Sequence, residues 1–193
     1  MVDRLILAAL TADYAHALQI RKGSGASYSV HSHAVARITG QYTDNENAII
    51  AAELHDVLED VSAERYSEQQ MLADFGAEVV EIVKMVSEDK RADEATTQSW
   101  ETRKHAYLDH LRTLSHADAL IVSAADKLHN LTSMIEDYEA IGENLWFRFS
   151  APKERQLWYY EEVCRILSEK NIPQGLRDAL QEKVAAFTCI VTK

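Results

Sequence analysis

Ala48-Ile49-Ile50-Ala51-Ala52-Glu53-Leu54-His55-Asp56-Val57-Leu58-Glu59-Asp60 is an apolar run that closes on four ionisable residues. Thr43 and Glu46 stand before it with the spacing of a capping box, so a buried central helix is predicted from there. At about 100° per residue, positions 55, 59, 56 and 60 fall at about 0°, 40°, 100° and 140°, which places all four side chains on one face. A His-Asp dipeptide alone is a common accident, and a Glu-Asp pair near a helix end is commonly a solvated edge. Behind an apolar run the combination needs a further reason, because buried ionisable groups are rare unless paired or metal-bound.

Helical signals recur on both sides of this stretch, and no segment shows sustained two-residue alternation of β-branched and aromatic residues. Leu5, Ile6, Ala9, Ala12 and Ala15 mark a first helix that ends before the Arg21 to Gly25 loop, and a short helix follows from about His31 to Thr39. Ser67 with Gln70 repeats the cap signal, and Gly76 stands where a helix-ending residue with positive φ belongs. Val79, Val80, Ile82, Val83 and Val86 build the next helix, and the polar residues Asp89 to Gln98 are the longest candidate loop and a candidate lid. Trp100 to Leu114 resumes a helical period. Ser115 is expected to cap a long helix to about Ala140 with Gly142 past its end, Ser150 and Pro152 to open another, and Gln174 to Phe187 to form the last. The expected fold is all-α, one compact multi-helix domain spanning residues 1–193.

The chain has 193 residues, 47% of them hydrophobic, enough for one substantial core and too few for two independent catalytic domains. Six Gly, two Pro and no low-complexity stretch give no sign of a flexible linker. No run approaches the roughly 18 apolar residues of a membrane span, and Cys164 and Cys189 form no CxxC pair, so a reducing cytoplasm fits best. A net charge of −11 argues against a nucleic-acid partner. A small anionic substrate would need a metal or a local cation cluster to invert the field in one pocket.

Further metal ligands are sought where a His or a carboxylate sits in an apolar frame. Asp126, in Ile121-Val122-Ser123-Ala124-Ala125-Asp126-Lys127-Leu128, is the clearest, with Asn130 one turn on; its plain alternative is an ion pair with Lys127. His31, after the Ser/Gly loop, supplies the fourth candidate beside His55 and Asp56. Two imidazoles and two carboxylates suit a divalent first-row metal and lean to manganese or iron, with zinc left open. Such an ion would stabilise charge on a phosphoryl oxygen, and Glu59 and Asp60 are placed to position or deprotonate the attacking water.

With these residues in hand, the chain resembles the hydrolase domain of RelA/SpoT-type enzymes in its small stand-alone form, an HD-type phosphohydrolase. The motifs that carry the resemblance are His16-x-x-Gln19-x-Arg21-Lys22-Gly23, Tyr28-x-x-His31, His55-Asp56-x-x-Glu59-Asp60, Phe75-Gly76-x-x-Val79 and Ala125-Asp126-Lys127-Leu128-His129-Asn130, spanning about residues 10 to 135. The resemblance implies manganese-dependent removal of the 3′-pyrophosphate from ppGpp and pppGpp. It implies that His31, His55, Asp56 and Asp126 hold the metal and that Glu59 and Asp60 activate water. It also implies that Arg21 and Lys22 belong to a nucleotide-contacting loop and that Asn130 sits at the sugar. Ser27 and Ser32 depart from the family's usual prolines, and Thr132 from a usual arginine, so Lys90, Arg103 and Arg148 are the candidates to replace that cation. The aromatic residues Trp146 to Phe149 and Trp158 to Tyr160 read as packing. His33, His105, His110, His116 and His129 read as structural or surface residues. No length remains for a synthetase domain. Two other readings are a phosphohydrolase of another nucleotide such as NADPH and a catalytically silent nucleotide-binding module; oligomeric state stays undetermined.

Overall fold

The computed structural model describes residues 3–21, 25–88 and 100–192, and these form an all-helical fold. In chain order the helices are α1 (Arg4–Ala15), α2 (Ser29–Thr39), α3 (Glu46–Leu54), α4 (Val57–Asp60), α5 (Glu68–Phe75), α6 (Ala77–Val86), α7 (Trp100–Thr113), α8 (Ala117–Ile141), α9 (Lys153–Ser168) and α10 (Gln174–Val191). A 3-10 helix, Gly142–Arg148, links α8 to α9. No strand occurs among the described residues; one isolated antiparallel bridge, Ile20 with Ser27, closes the loop that carries Arg21. The lid assigned to Asp89–Gln98, and Lys90 within it, lie outside the described residues.

α8 is the axis of the molecule, touching α2, α3, α6, α9, α10 and the 3-10 helix. Its residues Ala119 to Leu128 are buried without interruption, and Ala119, Ser123, Ala124 and Ala125 let neighbouring helices approach closely. α3 lies against α1, α2, α6 and α8. Ile50 and Leu54 on α3, and Leu131 on α8, are completely buried. Each such side chain contributes about 1.5–3 kcal/mol of transfer free energy. None of the helices is long and apolar enough to cross a membrane among the described residues.

Several local expectations need correction. The face of α1 turned inward carries Ala8, Thr11, Ala12 and Ala15, while Leu5, Ile6 and Leu10 are exposed. Close packing against α3 selects small side chains there, so the bulkiest residues do not mark the buried stripe. The cap of α3 is Asn45, whose side chain accepts the Asn47 N–H at 3.0 Å; Thr43 instead accepts the Asn45 N–H and donates to Asp118. His116, not Ser115, caps α8, its Nδ1 accepting the Ala119 N–H at 3.3 Å. The Ser67–Gln70 capping box forms, Gly76 adopts φ 89°, and Gly142 adopts φ 59° past the end of α8. α10 continues to Val191, beyond the expected Phe187.

Candidate active site

The predicted single helix through the His-Asp pair is broken. α3 ends at Leu54, α4 begins at Val57, and Asp56 takes φ −92°, ψ −7° between them. Even so, His55, Asp56, Glu59 and Asp60 all line one cleft of about 280 Å³. The break turns His55 so that its Nδ1–H donates to the Ala52 carbonyl at 2.8 Å. A carbonyl can only accept, so this bond places a proton on Nδ1 and turns Nε2 to the cleft side, where a proton or a cation can bind.

His31 enters from α2 and Asp126 from α8. His55 Nε2 lies 3.2 Å from His31 Nε2, 3.0 Å from Asp56 Oδ2 and 3.7 Å from Asp126 Oδ1. His31 Nε2 lies 3.5 Å from Asp56 Oδ2 and 3.2 Å from Asp126 Oδ1. Metal–ligand bonds of about 2.0–2.2 Å, at angles between square and tetrahedral, separate adjacent donors by about 2.8–3.6 Å. The observed spacings are close to that range, so these atoms fit a shared divalent cation. The tightest group, with donor atoms all within 4.8 Å of one another, is His31, His55 and Asp56. Asp126 meets both imidazoles but also binds Lys127 Nζ through Oδ2 and the Asn130 amide through Oδ1, each at 2.5 Å. The ion pair weighed as the alternative for Asp126 therefore coexists with its approach to the imidazoles.

Burial disfavours charge on His55, Asp56 and Asp126, and their neighbours overrule it. Asp126 is held well below the usual carboxylate range by the Lys127 ammonium and by the His31 and His55 imidazoles beside it. His55 is raised well above 6.5 by the Asp56 carboxylate and by bonds to Asp126 and Asp56. A proton on His55 occupies the same donors as a cation, so the two compete for the site.

His129, assigned a structural or surface role from sequence, stands directly behind His31, with Nδ1 to Nδ1 at 2.7 Å. Burial first, and then His31, push its pKa down to about 4, so it is neutral and able to accept. With His129 accepting, His31 carries its proton on Nδ1 and presents Nε2 bare, the arrangement of an outer partner behind a metal-binding histidine. The position of His129 beside Asp126 on α8 was the available signal, since residues 126 and 129 are one helical turn apart.

Tyr28 is a second residue that sequence reasoning left without a role. Its hydroxyl donates to Asp56 Oδ2 at 2.7 Å and lies 3.3 Å from Asp60 Oδ2. His16, fully buried, stacks on the Tyr28 ring at 4.7 Å and donates through Nδ1 to Gln19, whose amide donates to the Asp60 carbonyl at 2.7 Å. Glu59 Oε2 accepts the Glu88 N–H at 2.8 Å, and the Glu88 carboxylate pairs with Lys104 at 2.6 Å.

The rest of the cleft combines residues read from sequence as packing with Arg103, one of the candidate cations, and two lysines. Phe149, Tyr159 and Tyr160 line it, as do Arg103, Lys104 and Lys127. Lys104 Nζ sits 4.6 Å over the Tyr159 ring and Lys127 Nζ 4.5 Å over Tyr107. Arg148 is exposed and is not among the lining residues. Arg21 donates to Asn130 Oδ1 at 3.1 Å and lies over the Tyr28 ring, so these two sequence candidates meet; Lys22 lies outside the described residues. A second cavity of about 350 Å³ adjoins, sharing Tyr28, Asp60, Asn130, Phe149 and Tyr160 with the first and adding Ile20, Arg21, Ser133, Met134 and Asp137.

An all-helical frame with a His/Asp donor group at the α3–α4 break is the arrangement of an HD domain, and the chain belongs to that family: the HD domain model matches residues 8–146. Among its relatives is a guanosine-3′,5′-bis(diphosphate) 3′-pyrophosphohydrolase of Haemophilus influenzae, 34% identical over 125 residues; the match covers 62% of this chain and 17% of that one. The Danio rerio protein of the same name is 36% identical over 113 residues, 57% of each chain. Among solved structures, a metazoan ortholog of SpoT described as hydrolysing ppGpp shares the fold with a TM-score of 0.76 at 23% identity, covering 96% of both chains. The lmo0812 protein of Listeria monocytogenes EGD-e matches with a TM-score of 0.68 at 28% identity, covering 84% of this chain and 99% of that one.

Proposed function

We propose that the chain, acting as one HD-type unit, hydrolyses the 3′-pyrophosphate of a guanosine alarmone, ppGpp or pppGpp, with manganese held by His31, His55, Asp56 and Asp126. The observation that carries this reading is that the His31 and His55 imidazoles stand 3.2 Å apart and each within 3.0–3.7 Å of Asp56 and Asp126, beside a cleft that also holds Glu59, Asp60 and three cations. The names of the relatives support the substrate class.

A bound divalent ion supplies Lewis acidity and charge neutralisation at the phosphoryl group. The protein's part is positioning. Tyr28 orients Asp56, His129 orients His31 and the Ala52 carbonyl orients His55, so these three donors are held in place to receive the ion. Glu59, held by the Glu88 N–H, takes the proton from a water that attacks phosphorus, and the bond from phosphorus to the ribose 3′ oxygen breaks, that oxygen becoming a hydroxyl by taking up a proton from solvent. Arg103 lines the cleft, and its Nε is buried with no partner among the described residues, a donor ready for a phosphate oxygen. It stands in for the cation that Thr132 does not provide. Arg21 and Asn130, already joined, hold the nucleoside side.

The test is chelation followed by reconstitution: turnover of ppGpp should vanish in the stripped protein and return with manganese, and His55→Ala should lose both metal and activity. Full turnover by the metal-free protein would overturn the site assignment.

A further inference from the structure

The second cavity holds an acidic group that the proposed chemistry leaves unused. Asp137 lines it together with Ile20, Arg21, Met134, Phe149 and Tyr160. No hydrogen bond or ion pair to the Asp137 carboxylate occurs among the described residues, and the side chain is only partly exposed. The other carboxylates around the cleft have such partners: Asp56, Asp60, Glu59, Glu88 and Asp126 are each engaged.

Its place on α8 is as telling. Asp126, Asn130, Ser133 and Asp137 follow one another at steps of four, three and four residues, a single stripe on one helix face. Eleven residues at 1.5 Å rise put Asp137 about 16 Å along the axis from Asp126, room for a metal-bound 3′ phosphate, its ribose and a base that hydrogen-bonds at the far end. The neighbouring walls suit a planar ring: Phe149 and Tyr160 are aromatic, Met134 is apolar and polarisable, and Arg21 is a guanidinium.

We propose that Asp137 reads the nucleobase and makes the site select guanine over adenine. This rests on the nucleotide hydrolase reading above. A carboxylate is acceptor-only and can receive two parallel N–H bonds. Guanine presents such a pair, N1–H beside the N2 amino group. Adenine presents an unprotonated ring nitrogen at the corresponding position, whose lone pair faces the carboxylate oxygen.

The experiment compares wild type, Asp137→Asn and Asp137→Ala on guanosine and adenosine 3′,5′-bis-diphosphate, and separately measures GDP and ADP binding by calorimetry. The Asp137 carboxylate makes no hydrogen bond or ion pair among the described residues, so the fold should survive; melting temperature and manganese content serve as checks. A two-bond base contact is worth about 10- to 100-fold in discrimination. The wild type should prefer the guanosine compound by at least that factor. Both variants should lose the preference, through a higher KM for the guanosine substrate, and GDP should lose its advantage over ADP. If the wild type hydrolyses the guanosine compound and the variants keep the same preference, the assignment of Asp137 is wrong. If the wild type hydrolyses neither compound but prefers GDP over ADP in an Asp137-dependent way, the hydrolase reading fails and the base-reading role stands. A wild type without guanine preference in either assay overturns the inference.

Discussion

Replacing Tyr28 by phenylalanine removes one oxygen from a site whose packing it leaves in place. The ring still stacks on His16 at 4.7 Å and meets His31 edge-on at 5.7 Å. What disappears is the 2.7 Å hydrogen bond to Asp56 Oδ2. Burial and the carboxylates of Asp56 and Asp60 raise the tyrosine pKa far above 10, so the hydroxyl is a donor at every working pH. A hydrogen bond to a charged group contributes about 1.5–3 kcal/mol. At about 1.4 kcal/mol per tenfold, losing the bond that orients this carboxylate should weaken manganese binding by about 10- to 100-fold. That agrees with the cost typical of removing an outer partner of a metal ligand. Competition with a calibrated chelator gives the metal Kd of each protein, and turnover at saturating manganese should recover most of the wild-type rate. An affinity unchanged within about twofold, or tightened, would refute the idea that Tyr28 holds Asp56 for a cation.

Three other substitutions probe separate parts of the account. Glu59→Gln should retain manganese while kcat falls by about 10²- to 10⁴-fold; loss of metal would make Glu59 a ligand, and near-normal turnover would move the base to Asp60. Gly76→Ala should cost about 1–3 kcal/mol in denaturant unfolding, because φ is 89° there and the new Cβ meets nothing within 4 Å, leaving backbone strain as the whole effect. Glu162 on α9 is held below 4.5 by its hydrogen bond from Arg165, and by the charges of Arg165 and of Arg112 on α7. A depressed carboxylate contributes stability that is present above the unfolded value and lost as pH falls through the folded one, so Glu162→Gln should flatten part of the acid-side loss of stability below the ordinary glutamate range. An unchanged pH profile would show that the ion pairs of Glu162 with Arg165 and Arg112 contribute nothing to stability.

The helices were legible wherever a side chain had one local job. Ser67 and Gln70 cap α5 within four residues, and Gly76 answers a backbone need at its own position. Legibility failed where the deciding partner is distant in sequence. Thr43 has the spacing of a cap, yet Asp118 on α8 takes its hydroxyl and Asn45 caps α3 instead. Leu5, Ile6 and Leu10 of α1 are exposed, while its buried face is made by three alanines and Thr11. The helical-wheel placement of His55 to Asp60 presumed a continuous helix, and the break at His55 and Asp56 replaces that geometry while keeping the four groups at one cleft.

The candidate site divides in the same way. His31, His55, Asp56 and Asp126 stood out because a charged or imidazole group in an apolar frame calls for a partner, and the structure brings them together. Tyr28 and His129 act through residues that lie 28 and 98 positions away, and neither departs from an ordinary helix or loop pattern in its own neighbourhood. The wall formed by Phe149, Tyr159 and Tyr160 has the periodicity of core, and only the fold shows which of those rings face the cleft.

The central claim is tested most directly by the products released from guanosine 3′,5′-bis-diphosphate by the manganese-loaded protein. The account predicts GDP and pyrophosphate in equal amounts, with no orthophosphate and with no release by His55→Ala. Orthophosphate as the sole product, or release that persists in His55→Ala, would contradict it.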